Sequence, residues 1–206
     1  VSDWIETFSG KKFLPQAPDP RKIDIVDIAH ALSMKCRYGG HTRQFYSVAQ
    51  HSVIVSTVVP EEYALEGLLH DAAEAYMPDI PRTMRTHLVG ADEFENQIHL
   101  AVAHRFSLVY PYPEIVVQAD DRILVDEARD LMHSCGAEWE WESWGLSGKG
   151  YGIKVKPVLP KEAHEMFVTR YASLIETRDV EDPWHFKSIM KERRTSNDKR
   201  RAKSYS

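Results

Sequence analysis

The chain has 206 residues, is 43% hydrophobic and carries a formal charge of −5. That length supports one domain with a substantial core. No apolar stretch approaches the roughly 20 residues of a membrane-spanning helix, so no membrane partner is expected. The charge is uneven. Residues 187 to 206 hold eight lysines and arginines against Glu192 and Asp198, a surplus of six that leaves −11 on the remainder. The expected organisation is therefore a folded region over 1–186 and a solvated basic tail over 187–206. Nucleic-acid contact through the tail is the sharper alternative, but only Tyr205 offers a ring among the cations. Val1-Ser2-Asp3-Trp4 lacks the basic-then-apolar pattern of a signal peptide. Cys36 and Cys135 form no CxxC pair and suit a reduced, cytoplasmic protein, in which both are expected in or near the core.

Helical period dominates the chain. Asp24 caps a first helix to Lys35, with Ile25, Ile28, Ala29, Leu32 and Cys36 on one face. A second helix runs from Ser47 to Val59 and is stopped by Pro60. Pro60-Glu61-Glu62 opens a third, with acids in its first turn where the helix dipole favours them, and it is expected to continue to Tyr76. Asp92–Phe106 and Pro113–His133 give a fourth and a long fifth, and Pro160–Glu176 a last. The Gly- and Trp-rich stretch 139–157 reads as an irregular or β accessory, with a short hairpin at Tyr151–Lys156. The fold class expected is all-α, a helical bundle.

The chemistry concentrates at His70-Asp71, an imidazole and a carboxylate adjacent inside the apolar run 64–76. His51 lies upstream in a second apolar helix, and an acid follows in Gln118-Ala119-Asp120-Asp121. Two imidazoles with two carboxylates suit a divalent metal such as Zn, Co or Mn, with Mg also compatible. Burying such groups unpaired is expensive, which argues against reading both histidines as ordinary core residues. Glu74, one helical turn past His70, is a candidate base for a metal-activated water, or else a partner that orients a ligand histidine. Arg37 precedes the Gly39-Gly40 turn, and its fork suits phosphate. His41 is either a phosphate donor or a turn residue. Arg82 and Arg85 could reach a longer phosphate chain or line a solvated face. Trp139, Trp141 and Trp144 pack a loop or stack on a base.

The order H…HD…D, together with Asp27-Ile28-Ala29-His30-Ala31-Leu32-Ser33, Cys36-Arg37-Tyr38-Gly39-Gly40-His41, Phe45-Tyr46-Ser47-Val48-Ala49-Gln50-His51-Ser52 and Leu69-His70-Asp71-Ala72-Ala73-Glu74-Ala75-Tyr76, resembles the HD-domain metal-dependent phosphohydrolases. The likeness spans roughly residues 10 to 175. It is closest to a branch of small bacterial and phage nucleotide phosphohydrolases that holds 5'-deoxynucleotidases and phage dATP triphosphohydrolases. The resemblance implies metal ligands His51, His70, Asp71 and Asp120, with Asp120 chosen over Asp121 because the family's acid follows Gln-Ala. It also implies Glu74 and Asp71 at the reaction centre and Asp79 near the sugar, where helix capping is its alternative role. Arg37 and the following ring would touch the nucleotide, with Tyr38 standing where the nucleotidases commonly have Trp and crowding the ribose 2' position. The implied substrate is a deoxynucleotide: dATP cleaved to deoxyadenosine and triphosphate, or a dNMP cleaved by a 5'-deoxynucleotidase. The implied assembly is a homo-oligomer of dimers, up to a hexamer. A nucleotide-sensing or nucleic-acid-associated regulatory protein is the reading from another class. A cyclic-dinucleotide or (p)ppGpp phosphodiesterase would need a second ligand set or further domains, which the chain lacks.

Overall fold

The computed structural model describes residues 3–85 and 87–177, without the side chain of Arg82. The basic tail expected at 187–206 lies outside the described residues. Helices dominate: α1 (Ile25–Met34), α2 (Val48–Val58), α3 (Ala64–Leu69), α4 (Arg82–Arg85), α5 (Ala91–Phe106), α6 (Glu114–Leu131) and α7 (Pro160–Thr177). The fold is all-α, as expected, with one two-stranded antiparallel ribbon among the described residues, β1 (Ile5–Glu6) with β2 (Lys12–Phe13). The chain divides into a unit ending at Arg170 and another beginning at Tyr171. Among the described residues no helix is long and apolar enough to cross a membrane.

Local chemistry explains the main boundaries. Asp24 accepts the Val26 N–H at 2.9 Å and Ser47 accepts the Gln50 N–H at 3.2 Å, each supplying a donor-starved first turn with a partner. Val59 precedes Pro60 in extended backbone and ends α2. The apolar faces converge on a core that includes Ile28, Leu32, Leu68, Ile98, Ile123 and Leu131, all essentially inaccessible. Helix α2 packs most extensively on α3, and also meets α1 and α6. Gly67 permits the close approach of α2 and α3. A Cβ there would stand 3.1 Å from the Ser56 Cα and 3.2 Å from a Val59 methyl. This contact brings the His51 helix beside the His70 helix.

Three expectations need correction. The third helix does not continue to Tyr76. It ends at Leu69, and a 3-10 turn (Ala72–Ala75) follows. The His70 Nδ1 donates to the Gly67 carbonyl at 2.8 Å, and Asp71 takes φ −96, ψ 11, leaving the helical ladder. Residues 139–157 are irregular, with a short 3-10 turn (Trp141–Trp144), and no hairpin forms at Tyr151–Lys156. Side chains of α6 capture those backbone donors instead. Asp126 accepts from Tyr151 N at 2.6 Å and Gly152 N at 3.1 Å, and Asp130 accepts from Val155 N at 2.8 Å. Cys135 is exposed, in a turn with φ +51, and is not a core residue; Cys36 is half-buried.

Gly150 carries the anchoring of this segment. A Cβ at Gly150 would lie 2.5–2.7 Å from the Asp126 carboxyl group, which is fixed by two backbone donors and Arg129 and has nowhere to move. Gly150→Ala should therefore destabilise the protein by about 1–3 kcal/mol, as forced overpacking does. A thermal melt showing the wild-type midpoint would show that the segment can shift away from α6.

Candidate metal centre

Helices α2, α3 and α6 each deliver part of one polar cluster. His51 comes from the first turn of α2, His70 and Asp71 from the break after α3, and Asp120 from α6. On a continuous helix, side chains of adjacent residues diverge by about 100°. The break after Leu69 lets His70 and Asp71 converge, with Nε2 and Oδ2 3.3 Å apart. The His51 Nε2 lies 3.2 Å from the His70 Nε2 and 3.0 Å from the Asp120 Oδ1. The Asp71 Oδ2 is 3.7 Å from the His51 Nε2, and the Asp120 Oδ1 is 3.7 Å from the His70 Nε2. Ligands about 2.0–2.2 Å from a common ion stand about 2.8–3.6 Å apart at right-angled or tetrahedral positions. These atoms lie 3.0–3.7 Å apart, so closing on an ion asks for shifts of only a few tenths of an ångström.

Hydrogen bonds fix which nitrogen of each ring faces the cluster. The His51 Nδ1 faces the Glu127 carboxylate at 2.6 Å, and the His70 Nδ1 faces the Gly67 carbonyl at 2.8 Å. Both partners only accept, so each Nδ1 carries the proton in the neutral ring and each Nε2 presents a lone pair. Two such nitrogens with carboxylate oxygens around one point repel unless a proton or a metal cation lies among them. His51, His70 and Asp120 thus form a group that could hold a metal ion. The electrostatics agree. Burial opposes a positive charge on His70, yet Asp71 and Asp120 outweigh it and raise its pKa well above the ordinary value. Burial likewise opposes ionisation of Asp120, yet His51 and His70 hold its pKa well below normal. The cluster favours positive charge at its centre.

The cluster opens on a cavity of about 390 Å³, a size suited to a small organic ligand. Its lining includes the polar Arg37, Glu74 and Asp79 and the apolar Leu124, Trp139 and Trp144. Arg37 is largely buried, with Nη1 3.4 Å from the Asp71 Oδ2 and Nη2 3.4 Å from the Glu127 Oε2. Glu74 is buried, and its Oε2 lacks a hydrogen-bond partner among the described residues. Burial, then the nearby Asp71 and Asp79, push its pKa well above the usual carboxylate range. Burial also raises the Asp79 pKa.

Of the residues singled out in the sequence, His51, His70, Asp71 and Asp120 meet at the centre, and Arg37, Tyr38, Glu74, Asp79 and Arg85 line the cavity. Arg85 is already engaged. Glu95 pairs with both of its terminal nitrogens, one contact at 2.8 Å, and Asp92 lies 3.4 Å away. His41 is exposed, caps the Arg37–Gly40 turn through its backbone and is not among the cavity-lining residues. The Arg82 side chain lies outside the described residues. Trp139 and Trp144 pack on one another, on Trp141 and, through Trp139, on Tyr38.

Two residues were not anticipated. Lys35, at the end of α1, donates its ammonium to the carbonyls of Glu74 and Met77 and so pins the segment that carries Glu74. Glu127 is fully buried and accepts from His51, Tyr46 (2.8 Å) and Tyr38. Burial opposes its charge, but Arg37 and His51 prevail and hold its pKa down to about 2. Its sequence signal was available: Glu127 follows Asp120 by seven residues, two turns on the same face of α6.

No protein-family model matches the chain. It is 38% identical over 175 residues to the uncharacterised protein YfdR of Escherichia coli (strain K12), across 85% of this chain and 97% of that one. It is also 29% identical over 189 residues to the uncharacterised protein RCAP_rcc00048 of Rhodobacter capsulatus, across 84% of this chain and 95% of that one. An alignment of that identity, running nearly end to end along YfdR, makes the chain a member of the YfdR family.

Proposed function

We propose that the protein is an HD-type, metal-dependent deoxynucleotide phosphohydrolase that cleaves dATP to deoxyadenosine and triphosphate. The observation that carries the reading is the convergence of His51, His70, Asp71 and Asp120 beside a cavity that Asp71 and Asp120 line together with Arg37 and Glu74, whose Oε2 has no partner among the described residues. His51, His70 and Asp120, with Asp71 beside them, would hold the metal. When bound, the metal supplies a Lewis acid for the phosphate and lowers the pKa of a water. Arg37, beside Asp71, places a guanidinium where an α-phosphate oxygen would approach the cluster. Glu74 takes a proton from the attacking water. Water adds its oxygen to the α-phosphorus, the bond to O5' breaks, and O5' leaves with a proton as the nucleoside hydroxyl. The aromatic wall of Tyr38, Trp139 and Trp144 supplies the flat apolar surface a nucleobase and sugar require.

One observation favours a second reading. Arg85, the cation that would meet the outer phosphates, is held by Glu95 and Asp92. A dNMP places no charge there, so a 5'-deoxynucleotidase needs no rearrangement of that pair. Product analysis separates the two. With dATP and Co²⁺, Mn²⁺ or Zn²⁺, phosphorus NMR should show inorganic triphosphate and chromatography deoxyadenosine. Orthophosphate from dAMP with dATP untouched would replace the first reading by the second, and inertness toward both would remove the phosphohydrolase proposal.

A further inference from the structure

Glu127 touches both halves of the site through different oxygens. Its Oε1 accepts from the His51 Nδ1 at 2.6 Å and the Tyr46 hydroxyl at 2.8 Å. Its Oε2 accepts from the Tyr38 hydroxyl and faces the Arg37 Nη2 at 3.4 Å. Four donors around one fully buried carboxylate fill its lone-pair positions. The side chain is therefore locked, and it locks what it touches.

Each end has a separate consequence. On the metal side, the bond to Nδ1 fixes the His51 tautomer and ring angle that aim Nε2 at the cluster. On the substrate side, Tyr38 occupies φ +56, ψ 31, a left-handed conformation unfavourable for a bulky side chain. Its hydroxyl tether to Glu127 and its edge contact with Trp139 at 6.0 Å hold the ring against the cavity in that conformation. The phenol hydroxyl thus points at Glu127, leaving the ring alone to meet a ligand.

We infer that Glu127 is a positioning residue that sets the metal ligand His51 through one oxygen and the sugar-sensing ring of Tyr38 through the other. The sugar half of this inference rests on the functional reading above. The hydroxyl of Tyr38 is the anchor and its ring the selector, so losing the hydroxyl alone should relax selectivity.

The test uses Glu127→Gln and Tyr38→Phe in the full chain, with folding checked by thermal melting. Co²⁺ affinity is read by chelator competition, ligand geometry by the Co²⁺ absorption spectrum, and sugar preference by the dATP/ATP ratio of kcat/KM. Glu127→Gln should weaken Co²⁺ binding about 10–100-fold and alter the visible spectrum, as loss of a histidine-orienting carboxylate does. Tyr38→Phe should keep Co²⁺ affinity and spectrum but collapse a preference that steric filtering sets at about 10–200-fold to within a few-fold. Wild-type Co²⁺ affinity in Glu127→Gln, or an undiminished dATP preference in Tyr38→Phe, overturns the inference. Should Glu127→Gln fail to fold, Glu127→Asp, which draws the carboxylate back from the His51 Nδ1, takes its place for the metal half. Weakened Co²⁺ binding is expected there and wild-type affinity overturns the inference, while Tyr38→Phe decides the sugar half. Should the wild type cleave neither nucleotide, the functional reading fails, while the Co²⁺ measurements on Glu127→Gln still decide the metal half.

Discussion

Replacing His70 with alanine should abolish metal binding and nucleotide hydrolysis together while leaving the helices in place. The His70 Nε2 stands within 3.7 Å of donor atoms from His51, Asp71 and Asp120, as the His51 Nε2 does of the other three. Without it, Asp71 and Asp120 face only one imidazole, too few neutral nitrogens for the borderline metals this donor set selects. The fold should persist. His70 follows the last residue of α3, and its one other bond, to the Gly67 carbonyl, can pass to water entering the space left. Metal content after dialysis should fall below about a tenth of an equivalent, against about one in the wild type, with unchanged far-ultraviolet circular dichroism. Asp120→Ala should behave like His70→Ala and Asp121→Ala like the wild type. Full occupancy in His70→Ala, or metal loss in Asp121→Ala alone, would move the site elsewhere.

What was legible in the chain was what short-range chemistry decides. Asp24 and Ser47 announce helix starts because a side-chain oxygen two or three residues from a bare N–H needs no tertiary help. The ligand types were legible because an imidazole–carboxylate pair inside an apolar run has few inexpensive explanations. The break after Leu69 was not, because the helical period of 64–76 continues past it. What ends the helix is the competition of the His70 ring for the Gly67 carbonyl and the pull of partners on α2 and α6. The segment 151–156 failed for a related reason. Its backbone donors are taken by Asp126 and Asp130, acids of α6 some 25 residues away that no local pattern places beside it. Arg85 looked available for phosphate because its partner, Glu95, lies ten residues on, across a turn that no local pattern reveals.

Glu74→Gln should retain the metal and lose turnover by about 10²–10⁴-fold, the usual contribution of one acid–base group. Glu74 stands apart from the ligands. It lines the cavity near Asp71, but unlike Asp71 and Asp120 it makes no ion-pair contact with His51 or His70 among the described residues. Its Oε2 has no hydrogen-bond partner among the described residues, an arrangement that leaves a buried oxygen free for something from the cavity. Lys35 holds the Glu74 and Met77 carbonyls, so the backbone that carries the carboxylate stays where it is after substitution. Glutamine keeps the shape of that side chain and removes only its capacity to take a proton. A folded variant with one metal per chain, near-normal KM and collapsed kcat would match a base acting in the chemical step. If Glu74 instead orients a ligand, metal affinity falls along with turnover. A near-normal rate returns Glu74 to a structural role and leaves Asp79 as the cavity-lining carboxylate outside the ligand set that could take the proton.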